Sequence, residues 1–383
     1  MKVICIIILF MVILSCSQKK APVNNQIIQN RLIEIVVSDD LINSDIDYSN
    51  ILDSIEFVKL ETNKHCLIGN IRKIRHINDR FYILDKNQII YIFDSKGKFL
   101  KKLDKRGKGP KEYYELRDFD VNMEGTITIL SNRKVVVYDS NLRFLNAEKI
   151  KIKSELGRSL NPIHFLPLES NTFFYSGSFG LYNSFNQEYA LCNTNKKYKR
   201  IKEFFPVKYN YTMGHQNFYK SNNKIYFTNT YGNDTIYQIH ESKVEPRIIV
   251  NFLGSKVTEK NMMEERATFF QKVWDNNLNG NIMKVYENDH FLCFKFTSGK
   301  IPKQVVYNIK TKDLKIINIV QSVPIPFLFI DGCIDDHFFS VLDAYILKDI
   351  ISKGYTSNIM EKNGLSNIKE SDNPIIVKFK FNF

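Results

Sequence analysis

The 383-residue sequence predicts an all-β fold, a six-bladed β-propeller with short helical insertions in its loops and a ring closed by N- and C-terminal strands. Three observations carry this expectation. RFYILDKNQIIYIFDSKGKFLKKL (Arg80 to Leu103) is echoed one blade-length later by GTITILSNRKVVVYDSNLRFL (Gly125 to Leu145), each an apolar strand, a polar turn, a strand ending in aromatic-Asp, a turn and a further strand. Six clusters of about four short β-rich runs fill the chain, separated by Gly, Asn, Asp, Ser or Lys turns. In the final segment Val377, Phe379, Phe381 and Phe383 alternate with Lys378, Lys380 and Asn382, the period of a strand with one buried face.

The elements follow in order. Met1 and Lys2 precede the apolar run Val3 to Leu14, too short to span a bilayer, so residues 1–15 read as a secretion signal. Ile13, Leu14, Ser15 and Cys16 resemble the lipobox of bacterial lipoproteins, which makes Cys16 the expected lipid attachment site. Residues 16–50 are polar apart from LIEIVV (Leu32 to Val37) and are expected to be a tether, with the propeller over 51–383. The clusters run from Ile71 to Leu103, Leu116 to Ile152, Ile163 to Phe204, Asn217 to Phe252 and Ile282 to Val320; the sixth combines FLFIDG, HFFSVLD and NPIIVKFKFNF. IEFVKLE (Ile55 to Glu61) has no blade of its own, and pairing it with the last strand would clasp the ring. Two helices interrupt the pattern. Val257 to Asn277 has Thr258 as N-cap and Met263, Ala267, Phe270, Val273 and Trp274 on one face; Asp343 to Lys353 is stopped by Gly354. Both belong in loops at one end of the ring, where they can roof the opening.

Composition narrows the function classes. Lys and Arg number 54 against 41 Asp and Glu, a net charge of +13, yet the cations are scattered over strands and turns rather than stacked on one helix face. Nucleic acid is therefore not an expected partner; solvated turns and attraction to acidic envelope polymers or lipid headgroups are. Cys66, Cys192, Cys293 and Cys333 are widely separated without C-x-x-C, and Cys192 and Cys293 fall in strand-like runs where a thiol packs as a small hydrophobe.

The loop KRGKGPKEY (Lys105 to Tyr113) is the strongest local motif. Gly107 and Gly109 turn the backbone, Pro110 fixes the exit, and Arg106 and Lys108 carry charge that could hold an acidic group of a ligand; equally, the loop carries the chain to the next blade. It lacks G-x-x-x-x-G-K-[ST] and is no phosphate loop. Tyr113, Tyr114, Tyr209, Tyr211, Tyr219 and Tyr231 sit among Asn, Lys and His and suit sugars or extended peptides, or fill gaps between blades. The expected ligand-binding set is Arg106, Lys108, Tyr113, Tyr114, Tyr211 and His215. There is no H-E-x-x-H and no G-x-S-x-G, so no catalytic residue, metal site or cofactor is expected.

GKGPKEYYELRDFDVNMEGTITILSNRKVVVYDSNLRFL resembles an NHL-type blade, departing at Ser131 where the pattern has Asp. With VKLETNKHCLIGNIRKI, the NPIIVKFKFNF ending and the lipobox, the chain resembles the six-bladed β-propeller lipoproteins of Gram-negative gut bacteria, densely only from Phe57 to Leu145. The resemblance implies a six-bladed ring and no defined catalysis. Some NHL-like propellers are lyases or lactonases with a metal in the axial channel, and His76, His164 and His215 near the starts of inner strands could converge in that way. The function expected is thus a lipid-anchored binding or scaffolding module at the cell envelope for a glycan, peptide or envelope protein, with a metal-dependent hydrolase or lyase as the alternative.

Overall fold

The computed structural model describes residues 32–43, 46, 51–153, 157, 159–176, 189–207, 216–229, 231–318, 329–353 and 365–383. Strand β1 (Ile33–Val37), helix α1 (Asp39–Ile42) and strand β2 (Leu52–Lys59) come first. Blade one is β3 (Ile71–Ile77), β4 (Arg80–Asp85), β5 (Ile90–Asp94) and β6 (Phe99–Leu103); blade two is β7 (Leu116–Val121), β8 (Ile127–Ser131), β9 (Lys134–Tyr138) and β10 (Phe144–Lys149). Blade three is β11 (His164–Pro167), β12 (Asn171–Tyr175), β13 (Tyr189–Asn195) and β14 (Arg200–Pro206). Blade four is β15 (Phe218–Ser221), β16 (Lys224–Thr228), β17 (Thr235–His240) and β18 (Lys243–Phe252). After helices α2 (Glu259–Met262) and α3 (Arg266–Asp275), blade five is β19 (Asn279–Glu287), β20 (Phe291–Ser298), β21 (Ile301–Asn308) and β22 (Leu314–Asn318). Blade six is β23 (Gly332–Ile334), β24 (His337–Leu342) and, after helix α4 (Ala344–Ser352), β25 (Ile375–Phe381), with β2 as its outermost strand. The six small sheets form a six-bladed propeller whose inner strands β3, β7, β11, β15, β19 and β23 adjoin one another around the axis.

The aromatic-Asp repeat has a local cause. At the turn between the third and fourth strands of a blade, a carboxylate or amide oxygen accepts two backbone N–H groups: Asp94 from Lys96 (2.9 Å) and Lys98 (2.8 Å), Asp139 from Asn141 (2.9 Å) and Arg143 (2.8 Å), Asn195 from Lys197 and Lys199 (both 3.0 Å). Three residues after each comes a left-handed residue: Gly97 (φ 83°), Leu142 (φ 64°) and Tyr198 (φ 52°). Glycine is needed at the first because a Cβ on Gly97 would lie 2.2 Å from the Lys59 carbonyl oxygen of the clasp strand. Gly97→Ala is expected to lower stability by about 2 kcal/mol in urea melts, the cost of the backbone conformation plus displacement of β2. A loss indistinguishable from zero would mean that β2 does not approach this turn.

The clasp forms as the sequence suggests. β2 runs antiparallel to β25 with Ile55 opposite Phe379, Phe57 opposite Val377 and Lys59 opposite Ile375. Asn373, 1 % exposed, ties the incoming C-terminal segment to the chain after β2: its amide donates to the carbonyls of Glu61 and Cys66 (both 2.7 Å) and its carbonyl oxygen accepts from Ile68 N–H (2.8 Å). All of that side chain's polarity is used in the joint, so the buried amide carries little desolvation cost.

Two expectations are revised. The tether expected over 16–50 is folded in its later part, and the ring starts at Leu32: β1 adds to blade four as a fifth strand, parallel to β18, because Ile35 and Val37 face the core while Glu34 and Val36 face out. The helix expected over 257–277 is broken. Thr258 and Asn261 form a capping box on α2, α3 restarts at Arg266, and Phe269, Phe270 and Val273 are buried while Met263 is 68 % exposed. None of the helices among the described residues is long and apolar enough to cross a membrane.

Candidate functional site

Inner strands in this chain carry charge where the core would be driest. In β3 and β7, Lys73 and Arg75 occupy the positions that Asp118 and Asp120 occupy one blade on. Each pair is 45 residues apart and meets across the blade interface: Lys73 Nζ donates to Asp118, and Arg75 Nε to Asp120 Oδ1 (3.3 Å). All four side chains are nearly inaccessible, so each charge needs its partner. Asp118 also accepts Phe119 N–H (2.8 Å) and Phe165 N–H of blade three (3.1 Å), while Lys220 of blade four donates to Asp120. The carboxylates thus staple four of the six blades at the axis. Arg72 and Arg117, also 45 apart, repeat a second device: Arg72 donates to the carbonyls of Leu116 (3.0 Å) and Arg117 (3.1 Å), and Arg117 to Asn161 Oδ1 (2.6 Å) and the Pro162 carbonyl (3.0 Å).

Above these pairs lies a cavity of about 510 Å³ to which all six blades contribute. Its position follows from topology. Each inner strand begins beside the end of the second strand, as Ile71 lies opposite Asp85, so the connections entering inner strands and the turns between second and third strands gather at one end of the ring. α2 and α3 precede β19, α4 follows β24, and both insertions lie at that end; Asp343, the N-cap of α4, is part of the cavity wall.

The wall is chemically mixed. Lys284 Nζ pairs with Asp331 Oδ1 (2.6 Å), whose other oxygen accepts Val341 N–H (2.9 Å). Burial pushes the Tyr219 phenol up to about 12 and raises Tyr286 further, so both remain protonated donors at neutral pH, and burial also raises the Asp343 carboxyl. His164 stacks on Tyr175 at 6.4 Å with Asp118 Oδ2 3.6 Å from Nδ1, and neither ring nitrogen has a hydrogen-bond partner among the described residues. A concave wall with donors, acceptors and aromatic faces can orient a polar organic ligand.

Of the expected site residues that are described, Lys108 and Tyr114 line one cleft beside the Lys105 to Tyr113 loop. Arg106 is held by Asp104 (2.7 and 3.0 Å), and Lys108 lies 5.5 Å from the centroid of the exposed Tyr114 ring. Tyr113 is fully buried; its hydroxyl donates toward the Gln88 or Leu103 carbonyl (2.9 and 3.1 Å) and accepts Lys105 N–H (3.2 Å), so it shapes the loop from within. Tyr211, His215 and Cys16 lie outside the described residues. Of the histidines considered for a channel metal, His164 reaches the cavity, whereas His76 packs on Phe81 at 4.8 Å and burial lowers its pKa. Among the described residues no three His, Cys, Asp or Glu side chains are grouped to hold a metal ion. Ser131, where the blade pattern has Asp, accepts Tyr114 N–H (3.1 Å), the role Asp85 plays toward Gly69 N–H (3.3 Å) one blade earlier. The free thiols Cys192 and Cys293 are buried in strands.

Comparison with solved structures agrees with the architecture. A putative exported protein from Bacteroides fragilis NCTC 9343 is similar at 21% identity and TM-score 0.76, over 92% of this chain and 100% of that one. The WD40 domain of Neurospora crassa Pan2 matches more loosely, at 11% identity and TM-score 0.39 over 72% and 74% of the two chains. No curated protein sequence matches the chain. Residues 32–380, the whole of the clasped ring up to its last strand, match the model of the Domain of unknown function DUF4934, and the chain belongs to that family.

Proposed function

We propose that this chain is an exported, lipid-anchored propeller that acts as a binding module at the cell envelope, taking a glycan, a peptide or a segment of a partner protein at the end of the ring where the inner strands begin. The observation that carries the reading is the axial cavity of about 510 Å³, walled by six blades and furnished with His164, Lys284, Tyr219 and Tyr286. The N-terminal run ending in Ile13-Leu14-Ser15-Cys16, with its lipobox pattern, supports anchoring through Cys16, to the outer membrane and facing either the periplasm or the exterior. The likeness to NHL-type lipoprotein propellers over Phe57 to Leu145 supports the same reading.

The test uses the secreted Cys16→Ser chain on glycan and peptide arrays, with His164→Ala beside it. A selective signal that His164→Ala weakens by about tenfold or more is expected, because the imidazole is part of the cavity wall and its loss reshapes that wall. A signal indifferent to His164→Ala would place binding elsewhere, and a blank array would remove the binding reading. In the parent strain, labelled palmitate is expected on the wild-type chain and not on Cys16→Ser; equal labelling would overturn the anchor.

A further inference from the structure

The basic residues that looked scattered along the sequence are gathered by the fold. A cleft of about 540 Å³ lies between the loop at Gly107 and Lys108 and the β8–β9 turn at Asn132 and Arg133. A second, of about 720 Å³, lies between the end of β10 and the β13–β14 turn. Lys149 lines both, so the two clefts adjoin, running from Arg117 of inner strand β7 out to the β13–β14 turn of blade three. Every titratable side chain on their walls is a lysine or arginine except Glu148, Tyr114 and Tyr198.

Most of these cations have no carboxylate partner among the described residues. Arg133, Lys149, Lys151, Lys153, Lys197 and Lys199 are such residues, and all six are exposed. Of the nearby acids, Glu115 pairs with Arg117 (3.2 Å), Glu203 with Arg200 (3.0 Å), and Glu112 accepts Gly109 N–H (2.9 Å), which leaves Glu148 as the carboxylate on the walls set against these cations. Like charges held along a groove repel one another and hold a counterion atmosphere, and a ligand bearing regularly spaced negative charge relieves the first and releases the second.

We infer that this paired cleft, which meets the axial cavity at Arg117, is a binding surface for a linear acidic polysaccharide. The concave form favours a strand over a membrane, since a bilayer meets the protruding parts of a surface and leaves cleft walls unsatisfied. Aromatic side chains sit among the charges: Tyr114 is 62 % exposed with Lys108 over its ring, and Tyr198, half-buried against Phe174 (5.6 Å), lines the second cleft.

The experiment measures binding of the Cys16→Ser chain to polygalacturonate, to neutral dextran and to vesicles of phosphatidylglycerol and phosphatidylcholine. Polygalacturonate is expected to bind with an affinity that falls about tenfold or more between about 50 mM and about 200 mM salt, and dextran not to bind. Replacing Lys197→Gln with Lys199→Gln is expected to weaken binding about tenfold with the melting midpoint unchanged. Lys310→Gln with Lys312→Gln removes the same charge from an exposed turn of blade five and is expected to cost less than about twofold. Equal losses in the two variants would reduce the effect to net charge and overturn the cleft, as would the absence of binding at low salt. Tighter binding to the vesicles than to the polymer would make the surface a membrane contact and also overturn it. His164→Ala is expected to leave polygalacturonate binding unchanged, so failure of the axial-cavity reading and failure of this one are separately visible.

Discussion

Truncation before Ile375 is expected to abolish the cooperative melting transition. β25 lies between β24 and β2, so its loss removes one strand and strips the partner from two others. Ile375, Ile376, Val377 and Phe379 are each at most 1 % exposed. At about 1.5–3 kcal/mol for each buried side chain, these four alone contribute about 6–12 kcal/mol, comparable to the whole stability of an ordinary domain. The readout is the far-UV circular dichroism melt of the truncated chain, and an unchanged midpoint would refute closure by the termini. The milder Phe379→Ala is expected to keep a cooperative transition while losing about 3–5 kcal/mol, the cost of a cavity rather than of an opened ring.

Asp118→Ala is expected to destabilise by about 3–5 kcal/mol, because it leaves Lys73, 5 % exposed, as an unpaired buried cation and removes the acceptor of Phe119 and Phe165 N–H. Combining Asp118→Leu with Lys73→Met is expected to recover most of the loss, since the penalty lies in the orphaned charge; no recovery would mean that the carboxylate acts mainly through the backbone amides. The same group predicts acid sensitivity. Burial would raise its pKa, but the charge of Lys73 and the neighbouring His164 outweigh burial and hold the carboxyl well below the usual carboxylate range. A depressed folded-state pKa contributes stability that is fully present above the unfolded value of about 4 and is lost as pH falls toward the folded value. Urea melts from neutral to low pH should therefore show a steeper acid limb in the wild type than in Asp118→Ala, and parallel limbs would contradict this.

Much of the ring was legible because strand period and turn chemistry are local. The alternation of Val377, Phe379 and Phe381 with Lys378 and Lys380 states which face is buried, and aromatic-Asp marks a turn whose hydrogen bonds span four residues. The role of LIEIVV was harder to read: its alternation was present, but a parallel edge partner more than two hundred residues away leaves no local mark. The axial residues were missed for a related reason. Charges alternating with Ile and Phe in IRKIRHI and LRDFDV look like a solvated face, and only the ring turns that face inward; the 45-residue offset joining Lys73 to Asp118 and Arg75 to Asp120 was the available signal. Tyr113 was misjudged because a tyrosine in a Gly-Pro loop reads as exposed, while its hydroxyl in fact ties three backbone groups together.

The segment ahead of the first complete blade touches three blades in succession: β1 extends blade four, Lys303 of blade five donates to the Ile42 carbonyl (3.1 Å), and β2 completes blade six. These partners lie late in the chain, so the stretch made first must wait, unsatisfied, until nearly all the polypeptide has been synthesised. Contacts of such long sequence separation slow the final locking step. A chain of this kind therefore cannot complete its ring until its last strand, β25, has been made.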